Sequence, residues 1–344
     1  MPSRYIHGMH GQGAEHLMAD RPGWVGFLHE TGHDKNDMES FDYRPWNDRG
    51  FGTIALIRHG YEPNGSIPEH QHYPAFAKRL QNFVRGIKGK VDVIEIGNET
   101  NLSRERPHGQ VITPAMYAEC FNLCHAMIKA VPGYADQQVA PAPVGPWNTE
   151  SGDWIAYWKK VLELTKPTAL TIHAYIHGYN AGDVFSDAKM GNPAGRYWQF
   201  WTYRDTMGAI PERLRGLPVY MTEMCSVPAD DKAPGWLDAN SGLIKNFYRE
   251  LNGWNKSGKQ QILAALPYRW EFDKWAISTR SQVQRDFQEA VAMGYTSTPA
   301  DDCTAKLAEC RAALIATNAQ LGKYQQAIAG IQAIIDGLKG PDHA

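Results

Sequence analysis

The chain carries little cysteine, almost no charge imbalance and no long apolar run. Its five cysteines (Cys120, Cys124, Cys225, Cys303, Cys310) form an odd, loosely spaced set in 344 residues. That excludes a disulfide-dense scaffold and points to reduced thiols. The 35 Lys and Arg against 37 Asp and Glu leave a net charge of -2. Neither nucleic acid nor an anionic membrane is therefore an expected partner. No segment approaches the roughly 20 apolar residues of a membrane span. The opening Met-Pro-Ser-Arg-Tyr-Ile-His-Gly has no charged-then-apolar secretion signal. The expectation is a cytoplasmic protein, or a secreted one whose signal has been removed. Gly8-Met-His-Gly11-Gln-Gly13 has the wrong spacing for a dinucleotide fingerprint, so no nucleotide cofactor is expected.

What is present is alternation. Short β-rich runs fall at 4–9, 24–29, 53–59, 91–96, 138–143, 169–175, 218–222 and 261–267. Amphipathic stretches separate them, with Phe76, Leu80, Phe83, Val84 and Ile87, or Met116, Cys120, Leu123 and Met127, at helical spacing. Strands that are apolar throughout and alternate with helices imply a parallel sheet covered on its outer face. Eight such units in residues 1–295 fit an α/β fold of the (β/α)8 barrel type better than an open doubly wound sheet. The helix expected near residues 36–44 has the weakest pattern.

After Tyr295 the composition changes. Thr296-Ser-Thr-Pro-Ala-Asp-Asp reads as a linker, and residues 296–344 form a second segment. Apolar or Cys residues recur there at alternating spacings of four and three from Cys303 to Leu338, broken in kind only by Thr317. Two readings stay open: helices folded back on the barrel, or a coiled coil that makes a homo-oligomer through residues 303–338. Gly322, Gly330 and Gly337 oppose the second, since each costs about 1 kcal/mol against Ala in a helix.

Two of the strands stop on a glutamate: Val-Asp-Val-Ile-Glu-Ile-Gly-Asn98-Glu99 and Pro-Val-Tyr-Met-Thr-Glu223. In a barrel of this type functional side chains sit at the carboxyl ends of strands. Two carboxylates facing one another there are the apparatus of glycosidic bond cleavage, one as proton donor and one as nucleophile or base. The strand ends resemble those of the clan A glycoside hydrolases, retaining β-glycosidases on (β/α)8 barrels. Thr171-Ile-His173-Ala-Tyr175 is similar to the His-x-Tyr of the cellulase- and mannanase-like members. Leu-Pro-Tyr-Arg-Trp270 resembles the strand-eight end whose tryptophan floors a sugar subsite, and His59, after Arg58, matches a strand-three histidine. The resemblance implies Glu99 as acid/base, Glu223 as nucleophile and Tyr175 as the group holding that nucleophile. It also implies sugar contacts from Asn98, His59, Arg58, His173 and Trp270, no cofactor, and a carbohydrate substrate. A cellulose- or mannan-type β-1,4-glycan is the first expectation, with exo action on small glycosides as the alternative. Many clan members follow the Asn-Glu pair with Pro, where Thr100 stands here.

Of the 11 tryptophans, Trp147 and Trp236 follow strands and are the best candidates for stacking on pyranose rings. Two other classes compete. His29-Glu30-Thr31-Gly32-His33 matches the zinc-peptidase pattern, which requires a helix so that both histidines share a face. Its flanks read as a strand before and poor helix formers after, so His29 and Glu30 are placed at the end of strand two, lining the sugar site. A non-catalytic sugar-binding barrel is the third class, and it has no use for a carboxylate pair.

Overall fold

The computed structural model describes residues 3–18 and 20–297, together with Tyr324 and Ile328. Its strands are β1 (Gly8–His10), β2 (Trp24–Glu30), β3 (Gly52–Arg58), β4 (Val93–Ile96), β5 (Gln138–Pro141), β6 (Leu170–His177), β7 (Val219–Val227) and β8 (Ile262–Pro267). Every pairing between neighbours is parallel, in the orders β1-β2-β3-β4-β5 and β6-β7-β8. Two seams close the cylinder. Ala265 N–H donates to Ile6 O at 2.7 Å, joining β8 to the approach of β1. Thr168 N–H donates to Val139 O at 3.0 Å and the Thr171 hydroxyl to Pro141 O at 2.6 Å, joining β6 to β5. The result is the eight-stranded parallel barrel that the alternation predicts.

The outer layer comprises α1 (Arg44–Asn47), α2 (Tyr73–Gly86), α3 (Pro114–Lys129), α4 (Trp154–Leu164), α5 (Thr202–Gly208), α6 (Leu243–Lys256) and α7 (Ser281–Ala292). Proline in the first turn starts α2 and α3 where its missing N–H costs nothing. Thr113 and Asp153 cap α3 and α4 by accepting from Met116 N–H and Ile155 N–H. The first two units depart from the expected alternation. β1 and β2 are linked by one 3-10 turn, and the helix expected at 36–44 is a loop ending in the four-residue α1. Three aspartates explain the loop: Asp34, Asp37 and Asp42 each accept the backbone N–H two residues on, at 2.9, 2.7 and 3.0 Å. Such local bonds compete with helical ones. In α3 the buried stripe is Tyr117, Cys120, Phe121, Cys124 and Ile128, one step round from the expected 116, 120, 123 and 127.

Two apolar cores result. One fills the barrel, with Trp24, Ile54, Leu56, Val93, Tyr220 and Leu266 among its members. The other lies between strands and helices and includes Phe76, Leu80, Tyr117, Trp158 and Phe247. Trp24 fits inside because β3 opens with Gly52, where a Cβ would lie 2.4 Å from the indole ring. Alternate strand residues feed the two cores, so β2 sends Trp24 inward and Val25 outward.

Internal contacts divide the chain into residues 1–297 and 298–344. Of the second unit, Tyr324 and Ile328 are helical and exposed; the rest of the heptad segment lies outside the described residues. Among the described residues no helix is long and apolar enough to cross a membrane.

Candidate active site

The carboxyl ends of the strands surround a cleft of about 630 Å³, with Glu99 and Glu223 in its wall. β4 is followed by Gly97 at φ +84°, whose N–H donates to Ile57 O at 2.7 Å; a left-handed residue here turns the chain across the barrel mouth. Glu99 follows at φ +33°, a conformation that is strained for a residue with a side chain. Thr171, His173 and Tyr175 alternate along β6 and share its inner face.

Glu223 reaches the same space through a bulge. Below it, Ile172 of β6 stands beside Met221 of β7; above it, His173 stands beside Glu223. The additional residue in β7 leaves both Thr222 and Glu223 facing the cleft. The Thr222 hydroxyl donates to Glu95 Oε2 at 2.7 Å.

Four side chains meet at the centre. Tyr175 Oη lies 2.7 Å from Glu99 Oε1, 2.9 Å from Glu223 Oε2 and 2.8 Å from His173 Nδ1. Its single phenolic proton serves one acceptor at a time. His173 Nδ1 is 2.8 Å from Glu99 Oε1 and 3.8 Å from Glu223 Oε2, and His10 Nε2 is 3.8 Å from Glu223 Oε1. Glu99, His173 and Glu223 each present one ligand atom within 4.8 Å of the others, the one set of three close enough to hold a metal ion among the described residues. Those atoms are already engaged with one another and with Tyr175.

Burial and charge set the protonation. Burial alone would lower the His173 imidazole, but Glu223, Glu99 and Glu95 outweigh it and raise its pKa to about 9. Burial pushes Glu99 up, yet the hydrogen bond and charge of His173, with help from Tyr175 and Arg104, bring it below the usual carboxylate value. Glu223 ends above that value, because burial and the charge of Glu99 prevail over His173, Tyr175 and Arg58. Burial likewise raises Glu95 and Glu105 to about 7.

Among the residues expected from sequence, Glu99, Glu223, Asn98, Tyr175, Arg58 and Trp147 line the cleft. His173 lies immediately behind them, fully buried against both carboxylates. Asn98 Nδ2 donates to Glu105 Oε1 at 3.1 Å. Trp147 sits at φ +62° and packs on His177, which stacks in turn on Trp198 at 3.6 Å.

Four residues are placed differently. His59 pairs with His33 at 2.7 Å and with Asn64 O, outside the cleft lining. Glu30 binds Arg58 at 2.6 Å, so it supports a lining residue without being one. Trp236 is 2% exposed, its indole N–H given to Tyr268 O. Trp270 is buried beneath the β1 loop, where a Cβ on Gly13 would lie 2.3 Å from its Nε1. The aromatic surfaces of the cleft on the β8 side are instead Tyr268 and Trp275.

The zinc pattern does not form its helix. His29 and Glu30 end β2, His29 Nε2 lies 2.8 Å from Tyr43 Oη, and His33 turns to His59. Residues of the cleft not foreseen include His10, Glu95 and Glu105, and on its flanks Arg104, Tyr268, Arg269 and Lys274. Glu95 was open to prediction: it follows Val93 by two and precedes Ile96 in a buried strand, so period two puts it inside the barrel.

No protein-family model matches the chain, and no curated protein is significantly similar to it in sequence. Solved structures do resemble it. A family 128 (subgroup I) endo-β-1,3-glucanase from Amycolatopsis mediterranei covers 84% of this chain and all of its own, at 11% identity and a TM-score of 0.46. A family 128 (subgroup VII) oligosaccharide-binding protein from Cryptococcus neoformans covers 85% and 95%, at 13% identity and 0.47. An endoglucanase from Pseudomonas stutzeri covers 83% and 93%, at 17% identity and 0.47. At these scores the likeness identifies no residue role in this chain.

Proposed function

We propose that the protein is a retaining glycoside hydrolase that cleaves β-linked oligo- or polysaccharide across Glu99 and Glu223, with a β-1,4-glycan of the cellulose or mannan type as first substrate. The observation that carries this reading is the approach of a buried carboxylate after β4 and a half-buried one on β7, within 4.8 Å at their facing oxygens and bridged by one tyrosine. Double displacement uses carboxyl groups about 5 to 5.5 Å apart, whereas inversion needs about 6.5 to 9.5 Å to admit a water between them.

In the proposed reaction Glu223 attacks the anomeric carbon while Glu99 gives its proton to the departing oxygen. Glu99 then takes a proton from water, which displaces Glu223 and restores the enzyme. Asn98, its amide fixed by Glu105, faces the sugar 2-hydroxyl, and Trp147 and Trp275 offer stacking surfaces. Neither a metal nor an organic cofactor enters these steps.

One observation favours the reversed pair of roles. In the free protein Glu99 is held below the usual carboxylate value and Glu223 above it, so Glu223 is the more readily protonated of the two. Under the first assignment the proton for the departing oxygen must instead come from Glu99, and Tyr175 Oη contacts an oxygen of each. Azide separates the two. With an activated aryl β-glycoside, azide restores turnover to a variant lacking the acid/base and yields the β-glycosyl azide. Rescue of Glu99→Ala but not Glu223→Ala supports the first assignment; the converse reverses the roles. Full activity in Glu223→Gln removes the proposed function.

A further inference from the structure

Four cationic side chains line the cleft: Arg58 and Arg104 on the β3–β4 side, Arg269 and Lys274 on the β8 side. They stand in the same lining as Glu95, Glu99, Glu105, Glu223 and Asp231, but on the flanks of the carboxylate pair. Three of them lie against an aromatic ring. Arg58 is 5.1 Å from the centre of Tyr61, Arg269 is 5.1 Å from Tyr268 and 5.4 Å from Phe272, and Lys274 is 4.6 Å from Trp275. Arg104 also interacts with Tyr61. Both flanks of the carboxylate pair therefore repeat one arrangement, a flat apolar face beside a positive charge.

The charges are weakly committed. Among the described residues Arg104 has no carboxylate within 4 Å. The partners of Arg58, Arg269 and Lys274 are Glu30, Asp273 and Asp231, whose side chains are 49%, 38% and 106% exposed. The cations themselves are 14%, 17% and 25% exposed, so each pair has its carboxylate in solvent and its cation in the cleft wall, where a ligand anion can compete for it. The Arg269 Nε is buried without a hydrogen-bond partner. Of the cleft carboxyls, Glu95 and Glu105 are largely uncharged below neutrality, which leaves the cations less opposed.

We infer that the cleft prefers an acidic β-linked glycan over the neutral cellulose- or mannan-type chain proposed as first substrate. Its pyranose rings stack on the aromatic faces while a carboxylate or sulfate group on the sugar meets Arg104 on one flank and Arg269 or Lys274 on the other. This rests on the hydrolase reading for the placement of the chain across Glu99 and Glu223, but its test does not require turnover.

The full-length Glu223→Gln variant is titrated calorimetrically with three probes of equal length: a β-1,4-glucuronic acid oligosaccharide, its carboxyl-reduced neutral counterpart and a sulfated β-1,4-glucan oligosaccharide. One charge-assisted contact gives about tenfold in affinity. The acidic probes are expected to bind at least about tenfold tighter than the neutral one at low salt, with the preference shrinking as salt rises. The two acidic arms tell carboxylate from sulfate. Adding Arg104→Met and Lys274→Met should bring the acidic-to-neutral ratio towards one, with an unchanged circular dichroism spectrum as the folding check. Neutral binding equal to or tighter than acidic, a ratio untouched by the two substitutions, or no binding of either acidic probe overturns the inference. Hydrolysis of neutral aryl β-glycosides by the wild type, measured separately, decides the hydrolase reading. Acidic-glycan binding without any turnover would sink that reading and leave this inference standing.

Discussion

Two parts of the barrel mouth carry nearly the same residue types and do different things with them. The β2–β3 end holds His29, Glu30, His33, Arg58 and His59; the β4–β6–β7 end holds Glu99, His173, Tyr175 and Glu223. At the first, each group finds a separate partner: His29 with Tyr43, Glu30 with Arg58, His33 with His59. At the second, all four share one point, three of them buried and Glu223 half-buried. A short motif within one loop spreads its members around the rim, whereas residues from three separate strands are aimed inward by the pleat. The difference lies in the cause of the pKa shifts. At the first end burial lowers His29, to about 4, and also His33 and His59. At the second the charges of Glu223 and Glu99 raise His173 against burial.

That contrast is breakable. Tyr175→Phe removes the hydroxyl shared by both carboxylates and should lower kcat by about 10²-fold, comparable to losing one preorganised donor. Steady-state kinetics on an aryl β-glycoside read it, and an unchanged kcat would deny the four-group centre its importance. A smaller effect is spectroscopic. Glu223 is the foremost of the charges that raise His173 to about 9, so Glu223→Gln should move its ring titration to lower pH by NMR. The sign follows: with a folded value above 6.5, the imidazolium contributes stability below pH 6.5 and loses it as pH rises through about 9. Removing the carboxylate brings that loss to lower pH, and a titration unmoved in the variant would break the coupling.

The β2–β3 end should respond in stability alone. His29→Ala strands the buried Tyr43 hydroxyl and should cost about 1–3 kcal/mol in denaturant unfolding. His33→Ala, at a half-exposed position, should stay within about 0.5 kcal/mol. Dialysis against a chelator should change neither turnover nor melting temperature; loss of either would put a metal in the molecule, with Glu99, His173 and Glu223 as its candidate ligands.

The barrel itself was legible because its strands are apolar throughout and its later helices carry strong periodicity, as at Phe76, Leu80, Phe83 and Val84. The candidate pair was legible because each glutamate follows a short apolar run, although β4 stops at Ile96, before Glu99, and β7 runs on past Glu223 to Val227. What could not be read was orientation around the rim. Trp236 and Trp270 follow strands just as Trp147 does, yet indole bonding and a glycine-made recess draw them into the core. His59 has a partner, His33, that lies 26 residues earlier and across a loop no pattern describes. The loop at 34–42 escaped for a local reason, its aspartates binding their own backbone.

The single additional residue in β7 has a structural consequence of its own. Beneath it, Tyr220 keeps step with Thr171 and belongs to the packed barrel interior; above it, the same strand runs in the opposite phase. Were the strand regular, Glu223 would stand beside Ala174 and face the helical shell. The insertion works as a gear change between two halves of one strand. The lower half answers to packing and the upper half to the cleft, so a residue at the mouth can be exchanged without re-timing the core that holds the barrel closed.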